Sequence, residues 1–300
     1  MRRDFPAYRQ LDAGVIEARA QAAWELADPC RLCPRECGAR RRRGQVGVCR
    51  TGERAVVSSY GPHFGEEPPL TGWRGSGTIF FGWCNLRCLY CQNYQISQEG
   101  EGRETTHLEL AHMMLTLQHW GCHNINLVSP THVVPQILSA LAIAASQGLS
   151  VPLVYNTGGY DALPVLRLLE GIVDIYMPDM KYSDAEVGRR LSGVPDYPQR
   201  NREAVREMHR QVGDLVIEDG LAKRGLLVRH LVLPHGLAGT AEVVRFLVEE
   251  ISPRTYVNVM GQYRPCYRAW EAQELAGPLS TKEYLRAREL AVRAGLRLAE

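Results

Sequence analysis

Six short apolar, β-rich runs separated by helical stretches constrain the fold of this chain more than any other feature. They are GTIFFGW (77–83), NINLVSP (124–130), VPLVYNTG (151–158), IVDIYMPDMKY (172–182), LLVRHLVLP (226–234) and TYVNVMGQY (255–263). The stretches between them, such as LELAHMMLTLQHWG, VVPQILSALAIAASQG and NREAVREMHRQVG, repeat apolar residues at helical spacing. Several end at Gly, which favours a helix C-terminus. Strands that are apolar almost throughout and alternate with helices argue for parallel βα units buried on both faces. The expected class is α/β. Six units suggest a partial (βα)6 TIM-type barrel, with a flat doubly wound sheet as the rival. In either case ligands collect at the C-terminal ends of the strands.

The flanks read differently. Residues 5 to about 28 suggest a helix, with Leu11, Val15, Ala18, Ala22 and Leu26 at helical spacing, and Pro29 stops it. Residues 30–75 are rich in Gly, Pro and Arg and suggest a small irregular module held by a metal. The tail, STKEYLRARELAVRAGLRLAE, suggests one amphipathic helix opened by Ser280 or Thr281. The expected division is 1–75 for the helix and cysteine module, 76–265 for the barrel, and 266–300 for a C-terminal helical extension. The formal charge of +2 gives no argument for a nucleic-acid or membrane partner. No apolar run approaches the ~18 residues of a membrane span. The start, MRRDFPAYRQLDAG, lacks the apolar stretch of a secretory signal. A cytoplasmic protein is expected.

Seven of the nine cysteines fall in two clusters, Cys30/Cys33/Cys37/Cys49 and Cys84/Cys88/Cys91. In a reducing compartment, clustered thiols point to metal or catalysis rather than disulfides. Cys84-x3-Cys88-x2-Cys91 follows the first run and so occupies a βα loop. Structural zinc wants four ligands, whereas three thiols in one compact loop suit three corners of a 4Fe-4S cube and leave one iron for an exogenous ligand. Zinc with a distant fourth ligand is the alternative. The first cluster carries four thiols, which suit zinc or an auxiliary 4Fe-4S cluster alike.

CNLRCLYCQN resembles the signature of radical S-adenosylmethionine enzymes, and more narrowly an uncharacterised branch similar to pyruvate formate-lyase activating enzyme. The resemblance implies that S-adenosylmethionine completes the open iron. Reductive cleavage then yields a 5'-deoxyadenosyl radical that abstracts hydrogen, as in the activases of glycyl radical enzymes. It implies Tyr90 against the adenine. It also implies that Asp179 and Lys181 of MPDMKY hold the methionine moiety and ribose, and that Arg229 of VRHLVLP contacts cofactor or substrate. Asn156 and Thr157 match third-strand positions that join Met177 and Asp179 around a monovalent cation, although the family often has Asp where Asn156 stands. An electron donor such as flavodoxin or ferredoxin is implied, and a glycyl radical enzyme as partner. A small-molecule or nucleotide substrate, or a non-catalytic electron-transfer module, are the other readings.

One departure concerns the end of the second run. Where the family usually has a Gly-Gly-Glu-like stretch, this chain has VSPTH, so Ser129, Thr131 and His132 stand in for it. Asp179, Lys181, Arg229, Asn258 and Gln262 are also singled out as polar residues in apolar strands, which are costly unless paired or functional. His119, Cys122 and His123 lie on the side opposite the expected site. Cys266 lies on the correct side, and His63 and Glu66 lie between the modules. Arg40 to Arg43 read as a solvated basic face. No catalytic acid, base or nucleophile is assigned.

Overall fold

Each of the six apolar runs contains a strand, and each strand lies parallel to the next. The computed structural model describes residues 5–299. Its strands are β1 (Ala55–His63), β2 (Ser76–Phe81), β3 (Arg103–Thr105), β4 (Ile125–Val128), β5 (Leu153–Thr157), β6 (Ile175–Pro178), β7 (Val216–Glu218), β8 (Leu221–Leu231), β9 (Tyr256–Met260) and β10 (Arg297–Leu298). The helices are α1 (Ala13–Leu26), α2 (Pro68–Thr71), α3 (Tyr94–Ser97), α4 (His107–His119), α5 (Val134–Ser146), α6 (Leu163–Leu168), α7 (Ala185–Ser192), α8 (Tyr197–Val212), α9 (Thr240–Phe246) and α10 (Thr281–Arg293). The sheet runs β10-β9-β8-β6-β5-β4-β2-β1-β3, with β7 paired to β8. From β2 to β9 the parallel strands follow one another in chain order. A doubly wound sheet reverses its order at a switch point; this one does not.

Side chains alternate between the two faces of each strand. Ile79, Phe81, Ile125, Leu127, Tyr155, Tyr176, Val228 and Val257 pack in one core with Ala20, Met114 and Leu138 of the helices. The opposite set, Val154, Ile175, Met177, Leu227 and Tyr256, packs around Leu70 of α2. A four-residue helix therefore plugs the inner face. Asn124 Nδ2 holds it by donating to the Leu70 carbonyl at 2.9 Å.

Three expectations are corrected. Residues 30–75 are not irregular throughout, because β1 lies antiparallel to β2 and β3. Gly61 and Pro62 near its end disguise it as loop. The helix read over residues 5–28 is a short 3-10 turn, Ala7–Gln10, followed by α1. The tail is not one helix: α10 opens with a reciprocal Ser280–Glu283 capping box, and after Gly295 (φ 78°) the chain extends into β10 beside β9. The β7–β8 hairpin is an addition, turned by Asp219-Gly220 with both φ values positive. No helix among the described residues is long and apolar enough to cross a membrane.

Candidate functional site

The cysteine triplet hangs between β2 and α3, at the C-terminal end of its strand. The loop is tied to distant segments through backbone and side chain alike. Asn85 Nδ2 donates to Tyr160 O at 2.8 Å, Leu89 N to Leu191 O at 2.9 Å, and Arg268 N to Leu89 O at 2.9 Å. Arg35, from the N-terminal cysteine region, donates its Nε to Asn85 O at 2.6 Å. Burial pushes the Cys84 thiol up to about 12, helped by the neighbouring Cys88 and opposed by Lys181. Burial likewise raises Cys91. These electrostatic neighbourhoods bring the loop and the end of β6 together.

Lys181 follows β6. Its ammonium donates to Asp179 Oδ2 at 2.6 Å. Burial works against that charge, but Asp179, Cys88 and Tyr197 outweigh it and hold the pKa well above the usual lysine range. A lysine cation therefore lies within electrostatic reach of all three triplet thiols. Asp179 is itself fixed through its backbone: its carbonyl accepts from Tyr197 OH at 3.0 Å and from Asn201 Nδ2 at 2.9 Å.

Arg229 is placed differently from expectation. Its guanidinium forms a bidentate pair with Glu67, with both contacts at 2.7 Å, and also bonds Glu66. Asn258 Nδ2 adds a bond to Glu67 Oε1 at 2.8 Å. Two polar residues read as site candidates are thus committed to an ion cluster on the inner face, and Glu66, read as lying between the modules, joins them. Asp179 stays close enough to act on Arg229 electrostatically.

Thr131 and Thr157 are also committed. Each hydroxyl donates to the Asp161 carboxylate at 2.7 Å, and Tyr155 OH adds a third donor at 2.9 Å. Burial pushes the Asp161 carboxyl up, and these donors pull it back. Both threonines are buried, with their hydroxyl protons committed to Asp161. Asp161 escaped sequence reading; an acid closing the TGGYD loop was its only trace. His132 donates its Nε2 to Gly82 O across 2.9 Å, and burial lowers it to about 4, so it is neutral. Of the polar residues of VSPTH only Ser129 remains half-exposed, and it holds a left-handed backbone (φ 59°), a costly conformation of the kind found at functional sites. Asn156 is half-buried on β5, in register with Met177, which is fully buried. Tyr90 is buried with its ring edge-on to Tyr182 and Tyr263.

In the first cluster, Cys30, Cys33 and Cys49 are buried and Cys37 is exposed. Burial raises Cys30, and Cys37 and Cys49 act on it as neighbours. Cys37 Sγ lies over Gly47, where any Cβ would meet it at 2.4 Å. Arg41 reaches Cys49 Sγ at 3.3 Å and is 2% exposed, so the arginine run is not one solvated face. Arg42 stacks over Trp24. Among the described residues, no three His, Cys, Asp or Glu side chains close around a single ion. Cysteines on a multinuclear cluster bind separate irons and need no common point. Three thiols beside an anchored Lys–Asp pair therefore suit a 4Fe-4S cluster and a zwitterionic cofactor. Cys122 and His123 lie at the opposite end of β4, His123 against Trp73, and His119 ends α4. Cys266 is half-buried beyond β9.

The family model described as Radical SAM superfamily matches residues 78–218. A Methanocaldococcus jannaschii protein described as uncharacterized protein MJ0674 is 30% identical over 98% of this chain and 83% of its own length. A second protein of that organism, uncharacterized protein MJ0808, is 24% identical over 89% of this chain and 79% of its own. Among solved structures, Streptococcus suis SuiB bound to S-adenosylmethionine has a TM-score of 0.46 at 14% identity, covering 74% of this chain and 48% of its own. The chain thus spans about half the length of SuiB. Methylornithine synthase (PylB) has a TM-score of 0.46 at 17% identity, covering 72% and 67%. The likeness to MJ0674 runs over nearly the whole chain, and the region matched by the family model runs from β2 to β7 and takes in both the triplet and the Asp179–Lys181 pair: the chain carries a domain of the radical SAM superfamily over residues 78–218 and is an enzyme of that class.

Proposed function

We propose that the chain is a partial (βα)6 barrel that binds a 4Fe-4S cluster through Cys84, Cys88 and Cys91, and binds S-adenosylmethionine beside it. The observation that carries this reading is the Lys181–Asp179 pair, closed at 2.6 Å, on the segment that the Tyr90–Tyr182 hydrogen bond, also 2.6 Å, ties to the triplet loop. Cluster and cofactor together supply reductive cleavage of the sulfonium and a carbon radical able to abstract hydrogen. The chain's own part is orientation and exclusion of water. Lys181 and Asp179 offer opposite charges to the carboxylate and amino group of the methionine moiety, and half-exposed Ser129 and Asn156 offer hydrogen bonds. Tyr90, enclosed by Tyr182 and Tyr263, presents an apolar wall for the adenine. The backbone around Asp179 and Asn156 is the proposed seat of a monovalent cation.

The resemblance of the triplet and MPDMKY to the activases assigns the hydrogen donor to a glycine of a partner glycyl radical enzyme, with a flavodoxin or ferredoxin as electron source. The four N-terminal thiols, three of them beside Arg41, are proposed to hold a second metal group, zinc or 4Fe-4S. Iron and zinc counts with and without Cys30, Cys33, Cys37 and Cys49 decide between them.

Anaerobically reconstituted protein given dithionite and S-adenosylmethionine is expected to release 5'-deoxyadenosine, and the Cys84→Ala/Cys88→Ala/Cys91→Ala variant none. Wild type that carries iron but releases no 5'-deoxyadenosine would sink the reading. Label transfer from deuterated glycine in a partner protein tests the activase assignment; label arriving only from a small molecule overturns it.

A further inference from the structure

Every sulfur of the triplet has a hydrogen-bond partner, and two of the partners are serine hydroxyls from outside the motif. Ser192, the last residue of α7, has its Oγ 2.9 Å from Cys88 Sγ. Ser97, the last residue of α3, has its Oγ 3.0 Å from Cys91 Sγ. Cys84 Sγ accepts from the Leu86 amide at 3.4 Å.

The direction of these bonds follows from proton counting. An iron-bound cysteine sulfur has no proton, so it can only accept. Ser192 must then donate its single hydroxyl proton to Cys88 and can only accept from Tyr182 OH, 2.8 Å away. Tyr182 has its proton committed in turn and accepts from Tyr90 OH at 2.6 Å. The chain Tyr90, Tyr182, Ser192, Cys88 therefore runs one way. It is buried throughout, with Ser192 at 0% and Tyr182 at 1% exposure, so no water substitutes for its members. On the other side Gln98 Nε2 donates to Ser97 Oγ at 3.0 Å, which leaves the Ser97 proton for Cys91.

The donors are also held in place. Gly193, with φ 67°, ends α7 directly after Ser192. Arg35 bonds the carbonyls of Ser192 and Gly193 at 3.3 Å each while its Nε holds Asn85 of the cluster loop. Donor and acceptor loops are thus fastened by one guanidinium.

Reduction adds an electron to a cluster whose ligand sulfurs already carry negative charge. Hydrogen bonds to those sulfurs stabilise the more negative state and raise the potential. We propose that Ser192 and Ser97 set the reduction potential of the cluster by donating to Cys88 and Cys91, with Tyr182 and Gln98 fixing the direction of each bond. This rests on the triplet binding a 4Fe-4S cluster, as proposed above.

The test is a spectroscopically monitored redox titration of reconstituted protein, with iron counted in each sample. Ser192→Ala and Ser97→Ala are each expected to move the midpoint to more negative potential at unchanged iron content. The double variant should move it further, and Ser97→Thr, which keeps the hydroxyl, should stay near wild type. Tyr182→Phe should give a smaller negative shift than Ser192→Ala, because the Ser192 proton remains. An unchanged midpoint in the double variant with its iron retained overturns the proposal. If Ser192→Ala fails to hold iron, the comparison of Ser97→Ala with Ser97→Thr decides by the same criterion. Wild type whose iron count does not fall in the Cys84→Ala/Cys88→Ala/Cys91→Ala variant overturns the cluster assignment itself, and that comparison tells this failure apart.

Discussion

Breaking the inner-face ion cluster should cost far more when both acids go than the single losses add up to. Arg229 has 16% of its side chain exposed, Glu66 5% and Glu67 1%. In Glu67→Gln the guanidinium loses both bonds to a carboxylate, yet Glu66 still neutralises it. The cost should be on the order of 1–3 kcal/mol, the worth of charge-assisted bonds. Glu66→Gln leaves the Glu67 fork and Asn258 intact and should cost less. In the double variant only Asp179 remains near, and Lys181 already holds it. A buried cation without a partner costs about 3–5 kcal/mol on its own. The double variant should therefore exceed the sum of the singles by on the order of 1–3 kcal/mol. Urea unfolding reads this as a shift in midpoint at constant slope. Adding Arg229→Met to the double variant should restore part of the loss, because the orphan charge is gone. Additive single losses with no recovery from Arg229→Met would refute the account of Arg229 as a cation held by two acids.

Three further outcomes are expected. Burial pushes Asp174 up to about 7 against two backbone bonds, from Ala7 N at 2.8 Å and Leu153 N at 3.0 Å. A carboxyl whose folded pKa exceeds its unfolded value near 4 favours the fold when protonated, so its contribution is full below about pH 4 and lost as pH rises through about 7. Thermal midpoints of Asp174→Asn should accordingly depend less on pH across that window than those of wild type, and equal slopes would count against the shift. Gly159 has φ 74°, and an added Cβ would lie 2.2 Å from Asp179 O; Gly159→Ala should destabilise by more than the ~1–2 kcal/mol of left-handed strain alone and weaken S-adenosylmethionine binding in calorimetry. Leu70→Ala should cost about 2–5 kcal/mol in urea unfolding, since the plug of the inner face has 0% exposure; a loss under 1 kcal/mol would mean the cavity collapses.

The strands were legible because both faces of each are buried, so GTIFFGW and VPLVYNTG carry no polar alternation to obscure them. The triplet was legible because ligand spacing is a local property, and Asp179 and Lys181 because charge in an apolar run has to be explained. Long-range partners were not legible. Nothing in EEPPLT says that α2 enters the inner face or that Glu67 meets a residue 162 positions away. Thr157 was read as facing a ligand, yet a carboxylate only four residues on captures its hydroxyl. The serines on Cys88 and Cys91 differ in the same way. Ser97 is six residues from its cysteine and within reach of inspection, whereas Ser192 is 104 residues from its own. Arg41 was hidden by its neighbours, since four arginines in a row look alike until one is buried.

That burial bears on how the cysteine-rich region relates to the sheet. A guanidinium stays charged, so a buried one must find acceptors. Arg41 finds them in Cys49 Sγ on its own side and, at 2.6 Å, in the His132 carbonyl on the other. His132 in turn donates to Gly82 O, two residues before Cys84. Arg35 meets the opposite flank of the same loop at Asn85 O. The two arginines thus fasten the root and the body of the triplet loop to the N-terminal thiols, through groups that cannot lose their protons. The loop has only four residues of helix, α3, to stiffen it from within. Its geometry is therefore set from outside, and the cysteine region is part of the wall of the site rather than an appendage to the sheet.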